Sequence, residues 1–265
     1  MNKTISSLKL KLVNIMKKAA LNTFDLHVAE KGALFDQSID TDIINDIIYY
    51  HTPAHNDLDE MYKVQDFKHN IEVSCYPSKL ECYKTYLDRT VYKDATETTE
   101  SLVKGYKYNG NQISGEEPTS VFLKNWYKKG VILDLNLLGS KSAKEFVEGF
   151  GFQLHEVGLI PENSEILQNT NTTTGERKKR QLVSMDCANG AEPTIKYGYT
   201  NTQGCDWLYV CEPTLSNEGN GISEELELEL DCPRSHVRDR VYMTCLCCPE
   251  HNTASACYCQ AMNYE

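Results

Sequence analysis

Cysteine is spread so unevenly along this chain that it divides the chain in two. Of eleven cysteines in 265 residues, nine (Cys187, Cys205, Cys211, Cys232, Cys245, Cys247, Cys248, Cys257 and Cys259) fall in the last 85 positions, and only Cys75 and Cys82 precede them. About one residue in ten is the density at which a short segment reads as a disulfide scaffold. A small β-domain with modest apolar content gains from covalent or metal staples. The odd count leaves at least one of the nine free, joined to Cys75 or Cys82, or linked to another chain. Charge divides at the same place: residues 1–180 carry 23 Lys and Arg against 25 Asp and Glu, net −2, whereas residues 181–265 carry 4 against 13, net −9.

The join is a polar run, Asn169 to Gly175, followed by Glu176-Arg177-Lys178-Lys179-Arg180-Gln181. Such composition buries no core and reads as an exposed linker. The tetrad Arg177, Lys178, Lys179 and Arg180 looks like the site cut by subtilisin-like proprotein convertases, and a solvated basic run or a nuclear-import-like patch is the plainer reading. The expected organisation is α+β: a mixed α/β domain over residues 1–168, a basic polar linker over 169–181, and an acidic cysteine-rich β-domain over 182–265. At the amino terminus, lysines at 3, 9, 11, 17 and 18 interrupt what a secretory signal would need as an apolar run. That segment reads as a basic amphipathic helix, packed on its own domain or touching an anionic membrane surface. No apolar run approaches the roughly 20 residues of a transmembrane helix. A net charge of −11 argues against nucleic acid as a partner.

Local patterns give element expectations. Asp40 or Thr41 caps a helix running to Tyr50, with Ile43, Ile44, Ile47 and Ile48 as its apolar stripe and Pro53 beyond its end. Ile71 to Tyr76 alternates as a strand, and Lys79 to Tyr92 is ambiguous. Lys93 to Thr119 reads as turns around at most one hairpin. Val131 to Leu138 reads as a strand, Ser140 to Gly149 as a helix, and Phe152 to Ile160 as a strand. Further on, 194–200 and 205–211 suggest a hairpin about a turn at 201–204. Glu225 to Asp231 alternates strictly, with Leu226, Leu228 and Leu230 facing a core, and Val241 to Cys247 and Ala256 to Ala261 complete the strand candidates.

Three constellations have chemical potential. Zinc takes four thiolate, imidazole or carboxylate ligands, which Cys245, Cys248, Cys257 and Cys259 supply, with His251 able to replace one. His51 and His55, four apart and followed by Asp57, Asp59 and Glu60, form a second candidate metal site of catalytic type. His236, close to Arg234, Arg238 and Arg240, suits an anion. Gly139-Ser140 reads as helix capping rather than a phosphate loop, and His155-Glu156 lacks the second histidine of a zinc protease. The sequence therefore points to a non-enzymatic binding or assembly protein with a disulfide-stapled carboxy-terminal domain and no cofactor. It would act with a protein partner or its own copies in an extracellular or other oxidising compartment, reached without a recognisable signal peptide. The alternatives are a zinc-dependent enzyme and a cytoplasmic zinc-binding adaptor with reduced thiols.

Overall fold

The computed structural model describes residues 21–109, 118–167, 187, 190–216, 227–231, 233–251 and 257–260. The segment expected as an amino-terminal helix, the basic tetrad and Cys232 lie outside them. Six strands lead the described chain as an antiparallel meander: β1 (Asn22–Glu30), β2 (Ala33–Asp42), β3 (Ile47–Thr52), β4 (Met61–Asp66), β5 (Ile71–Tyr76) and β6 (Glu81–Tyr86). Its turns use residues that tolerate positive φ. Lys31 and Gly32, at φ 48° and 84°, join β1 to β2 in the two-residue form that suits strand twist. The helix expected from Asp40 to Tyr50 is instead the β2–β3 hairpin. Asp42 accepts bonds from the Asn45 backbone N–H and side-chain amide at 3.0 and 2.7 Å, and Asp46 turns back at φ 58°. Ile43 and Ile44 then lie exposed at the tip. The isoleucine spacing fits a helix, but β-branched side chains pack at least as well on a pleated sheet, and Ile47 and Ile48 do so.

Helix α1 (Ala95–Asn109) follows β6, where only turns or a hairpin were expected. Asp94 caps it, accepting the N–H groups of Thr96 and Glu97 at 2.9 Å each. Its inner face carries Ala95, Thr99, Leu102 and Gly105, too few large apolar residues to register as a stripe. Gly105 is required by packing, since a Cβ there would lie 2.1 Å from the Tyr209 ring. Next come β7 (Ser120–Val131), a 3-10 turn (Leu135–Leu138), α2 (Lys141–Phe150) and β8 (Gln153–Leu159). The strand expected over Val131–Leu138 is thus shifted: its apolar letters span the end of β7 and the turn. Helix α2 and strand β8 match expectation, and Ser140 caps α2 through the Ala143 N–H at 3.1 Å.

The late strands are β9 (Thr194–Tyr209), β10 (Glu212–Ser216), β11 (Glu227–Asp231), β12 (Arg234–Cys247) and β13 (Tyr258–Gln260). The hairpin expected within 194–211 is one long strand. The supposed turn is a ladder irregularity, where partners step from Val241–Thr202 to Tyr242–Tyr199. Strand β11 pairs with β10 as expected of an alternating segment, although its leucine side chains lie outside what the structure describes. Strand β12 organises the rest. It runs antiparallel to β9, parallel to β7 over Ser235–Tyr242, and antiparallel to β13 over Thr244–Leu246. The sheet order is accordingly β1-β2-β3-β4-β5-β6-β8-β7-β12-β13, with β9 on β12. The composition boundary does not interrupt it.

This long sheet folds back so that β9 and β12 cover the meander. Trp207, Leu208, Tyr209 and Val237 enter one core with Phe24, Leu26, Val28, Ile39, Ile48 and Tyr50. Gly204 permits a close approach of β9 to the meander, because a Cβ would come within 2.6 Å of the Tyr76 hydroxyl and 2.8 Å of the Met61 sulfur. Helix α2 covers the opposite face, with Phe146, Val147 and Phe150 against Val64, Ile71, Val73 and Leu154. Strands β4 and β5 are therefore buried on both faces. Any polar residue on them must find a partner inside.

Candidate functional site

The late cysteines converge on the end of β12. Cys245 bonds Cys259, its direct neighbour on β13; Cys247 bonds Cys257, and Cys248 bonds Cys187. Cys211 is also disulfide-bonded. Cys75 and Cys82, opposite one another on β5 and β6, bond each other and not the late group. The sulfurs of Cys245, Cys248, Cys257 and Cys259 are thereby committed to cystines, as the disulfide reading has it, and the alternative zinc tetrahedron would find no thiolates there. His251 closes the turn, its N–H donating to the Cys248 carbonyl at 2.9 Å. Cys205, grouped with the bridging cysteines in the sequence, is a free buried thiol.

His51 and His55 part company. His51 stacks on Tyr62 at 4.2 Å between centroids and meets Glu60 at 3.0 Å on the partly exposed side of β3. Pro53 then redirects the chain, and His55 turns into the core while Asp57 faces solvent. The spacing alone implied a shared site, whereas the proline and the bridge between His55 and Leu58 separate the two imidazoles. His236 does meet an anion, but an internal one, the carboxylate of Glu30.

That carboxylate is the centre of a buried cluster assembled from four distant segments. Glu30 closes β1, His55 follows β3, Cys205 lies in β9 and His236 in β12, each less than a tenth exposed. Glu30 Oε2 lies 3.2 Å from His55 Nε2 and 3.8 Å from His236 Nε2, and His55 Nε2 is 3.5 Å from Cys205 Sγ. Arg238 donates to Glu30 Oε1 at 2.6 Å, and its Nε–H donates to His236 Nδ1 at 3.4 Å. His55 Nδ1 donates to the Pro53 carbonyl at 2.8 Å. Phe35 stacks on His55 at 3.8 Å and Trp207 on His236 at 4.7 Å, so both rings are held by packing. Burial alone would raise the Glu30 pKa, but His236, Arg238 and His55 together hold it below the usual carboxylate value. Burial pushes His236 down to about 4, so its imidazole is neutral at pH 7. Burial and the carboxylates of Asp206 and Glu30 push the Cys205 thiol well above its ordinary value, which favours the protonated thiol.

A second cluster lies deeper. Lys63 on β4, fully buried, donates to Asp206 on β9, to Asp239 on β12 at 3.1 Å and to the Tyr92 hydroxyl at 3.1 Å, with Glu72 at 3.3 Å. Tyr92 donates to Asp206 at 2.8 Å, Trp126 to Asp239 at 2.8 Å, and Gln65 to Glu72 at 2.6 Å. Burial raises Asp206 and Glu72 against the opposing pull of Lys63, whereas the three carboxylates raise Lys63 well above its ordinary value despite its burial. One cation thus faces three carboxylates across the two layers. All four charged side chains are buried, and the cluster acts as an internal clasp. The cavity between Ile39, Tyr50, Thr98 and Leu208 is about 20 Å³, room for one water rather than a substrate.

Sequence reasoning named His55, Cys205 and His236 separately, each for another role, and passed over Glu30 and Lys63. No local signal connects them, because up to 206 residues separate the cluster members and only strand pairing brings them together. No protein family, curated protein or solved structure matches this chain.

Proposed function

We propose that the protein is a non-enzymatic binding or assembly component of an oxidising compartment, whose carboxy-terminal region is locked by disulfides. The carrying observation is the convergence of three bridges on Cys245, Cys247 and Cys248, within four residues at the carboxy end of β12. Cystines of this density persist outside the reducing cytosol. Among the described residues no helix is long and apolar enough to cross a membrane. The charged side chains of both clusters are buried and pair with one another, an arrangement suited to holding layers together. The net charge of −9 after residue 180 suits a basic protein partner or a basic patch on another copy.

Cleavage after Arg180 fits this reading as a maturation step. The β7–β12 ladder would then hold the two pieces together, since the described bridges each join cysteines on one side of the cut. Alkylation of the denatured native protein without reductant tests the central claim. Labelling of no more than two of eleven cysteines is expected, and nine or more would overturn it. Limited trypsin treatment should give fragments that separate on a non-reducing denaturing gel yet co-elute in native gel filtration. Affinity for a basic partner should fall as salt is raised from 0.05 to 0.5 M, with an assumed Debye screening of roughly 10 Å at 0.1 M.

A further inference from the structure

We infer that Cys205, His55, His236 and Glu30 form a closed structural site for one divalent zinc-class metal ion, pinning the covering layer of β9 and β12 to the end of β1. Zinc takes thiolate at about 2.3 Å and imidazole or carboxylate at about 2.0–2.2 Å, so neighbouring ligands of a tetrahedron stand roughly 3.3–3.6 Å apart. The observed separations are 3.2 Å from Glu30 to His55, 3.5 Å from His55 to Cys205 and 3.8 Å from Glu30 to His236. Glu30, Cys205 and His236 offer ligand atoms all within 4.8 Å of one another, and His55, which stands outside that group, reaches it through Glu30 and Cys205 and would close toward His236 as the ion binds. The donor set mixes thiolate, imidazole and carboxylate, as zinc does and as calcium or magnesium does not.

The surroundings match the outer contacts of a metal site. His55 Nδ1 donates to the Pro53 carbonyl, which leaves Nε2 with its lone pair toward the cluster. Arg238 occupies Glu30 Oε1 and leaves Oε2 inward. The independent pointer is His236 Nε2, which is fully buried and makes no hydrogen bond with any described residue. An orphaned imidazole nitrogen in a core is costly unless a ligand meets it. Coordination at Nε2 places the ring proton on Nδ1, so Arg238 would give up its 3.4 Å contact there and keep its bond to Glu30. Metal binding would release the Cys205 thiol proton to solvent, leaving two anionic and two neutral ligands around the dication. The inference is independent of the assembly reading, since it depends on neither partner nor cleavage.

The test is expression of the full chain in an oxidising host with Zn2+ or, separately, Co2+ in the medium, followed by metal analysis and visible absorption. Loading during folding is needed because all four ligands are buried. One equivalent of zinc is expected, with a thiolate-to-cobalt charge-transfer band and intense tetrahedral d–d bands in the cobalt form. C205S should abolish the charge-transfer band, and C205S and H236Q should each lower bound metal at least tenfold while Arg234→Ala retains it. Folded wild-type protein without metal, a cobalt form lacking the thiolate band, or copper in place of zinc would overturn the proposal. So would full metal content in folded C205S. The wild-type cobalt spectrum decides the matter even where a variant fails to fold.

Discussion

The two halves of β12 are stabilised by different physics. At its carboxy end β12 lies between the start of β9 and β13, the latter three residues long, and the apolar cluster around Leu167, Cys245 and Cys247 is small. Cystines do the holding there. Its amino half is buried between layers, where Val237 packs into the large core and Val241 among Met61, Tyr76, Tyr83 and Val157, while His236, Arg238 and Asp239 enter polar clusters. No cystine crosses that region among the described residues. A small apolar cluster has little area to bury, so constraining the unfolded chain is the effective device. A sandwiched layer has area in abundance, and its risk is a buried charge without a partner.

The sharpest way to break this contrast is Lys63→Met. Removing the cation leaves Asp206, Asp239 and Glu72 facing one another in the core, and a loss of about 3–5 kcal/mol is expected in urea unfolding. A loss under 1 kcal/mol would show that the carboxylates are already neutral and that the clasp is dispensable. Cys247→Ala combined with Cys257→Ala opens a loop of 10 residues at the other end, for an expected loss of about 3 kcal/mol. That variant should leave the near-ultraviolet signal of the Trp207 layer intact. A collapse of that signal would mean the two ends fold as one unit. Gly105→Ala probes the layer contact from α1: the gain in helix propensity of about 1 kcal/mol is expected to be outweighed by displacement of Tyr209, giving a net loss of 1–3 kcal/mol.

Acid should act on the layered part first. Burial and the nearby Lys128 hold buried His155 below the usual histidine pKa, so in the window from pH 6.5 downward the unfolded chain binds a proton that the folded chain refuses. Stability contributed by the neutral imidazole is complete above pH 6.5 and declines as pH falls toward the lowered folded value. Glu81, held below 4.5 chiefly by Lys128 and Tyr83 against its burial, loses its contribution lower still, as pH falls through its own depressed pKa. Thermal melts of wild type and His155→Gln should therefore diverge between pH 6.5 and 5, and parallel curves would refute the assignment. The smallest effect is expected from Glu145→Ala on α2, whose partner Lys141 is largely exposed at 3.7 Å. A change below about 0.5 kcal/mol in urea unfolding is expected.

Some of the molecule is legible residue by residue. Alternation in Ile71–Tyr76 gave β5, the serine cap and apolar spacing gave α2, and strict alternation gave β11. These signals are local, carried by side chains whose neighbours lie within a few positions. Helix α1 was hidden because its inner face is built of Ala95, Thr99 and Gly105, small groups that fit beneath Tyr209 and beside Thr41. The β2–β3 hairpin was hidden because four isoleucines satisfy helical and pleated spacing alike. Strand β9 read as two because a polar stretch marks a turn as readily as a bulge.

What the sequence determined by itself was the division of cysteine and charge, and with it a disulfide-rich carboxy-terminal region on a mixed α and β chain. Cysteine density requires no knowledge of contacts, because any fold of such a segment in an oxidising setting brings some of the sulfurs within bonding distance. Which sulfur stays free was decided only in three dimensions. Cys205 faces His55, Glu30 and His236 rather than another thiol because β9 pairs with β12 and lies across β1. The antiparallel ladder of β9 with β12 likewise joins residues far apart in sequence, and it brings Asp206 and Asp239 together about Lys63. Those charges reveal their partners only once the layers close and water leaves, since burial makes an unpaired charge costly and so selects the packing that pairs it.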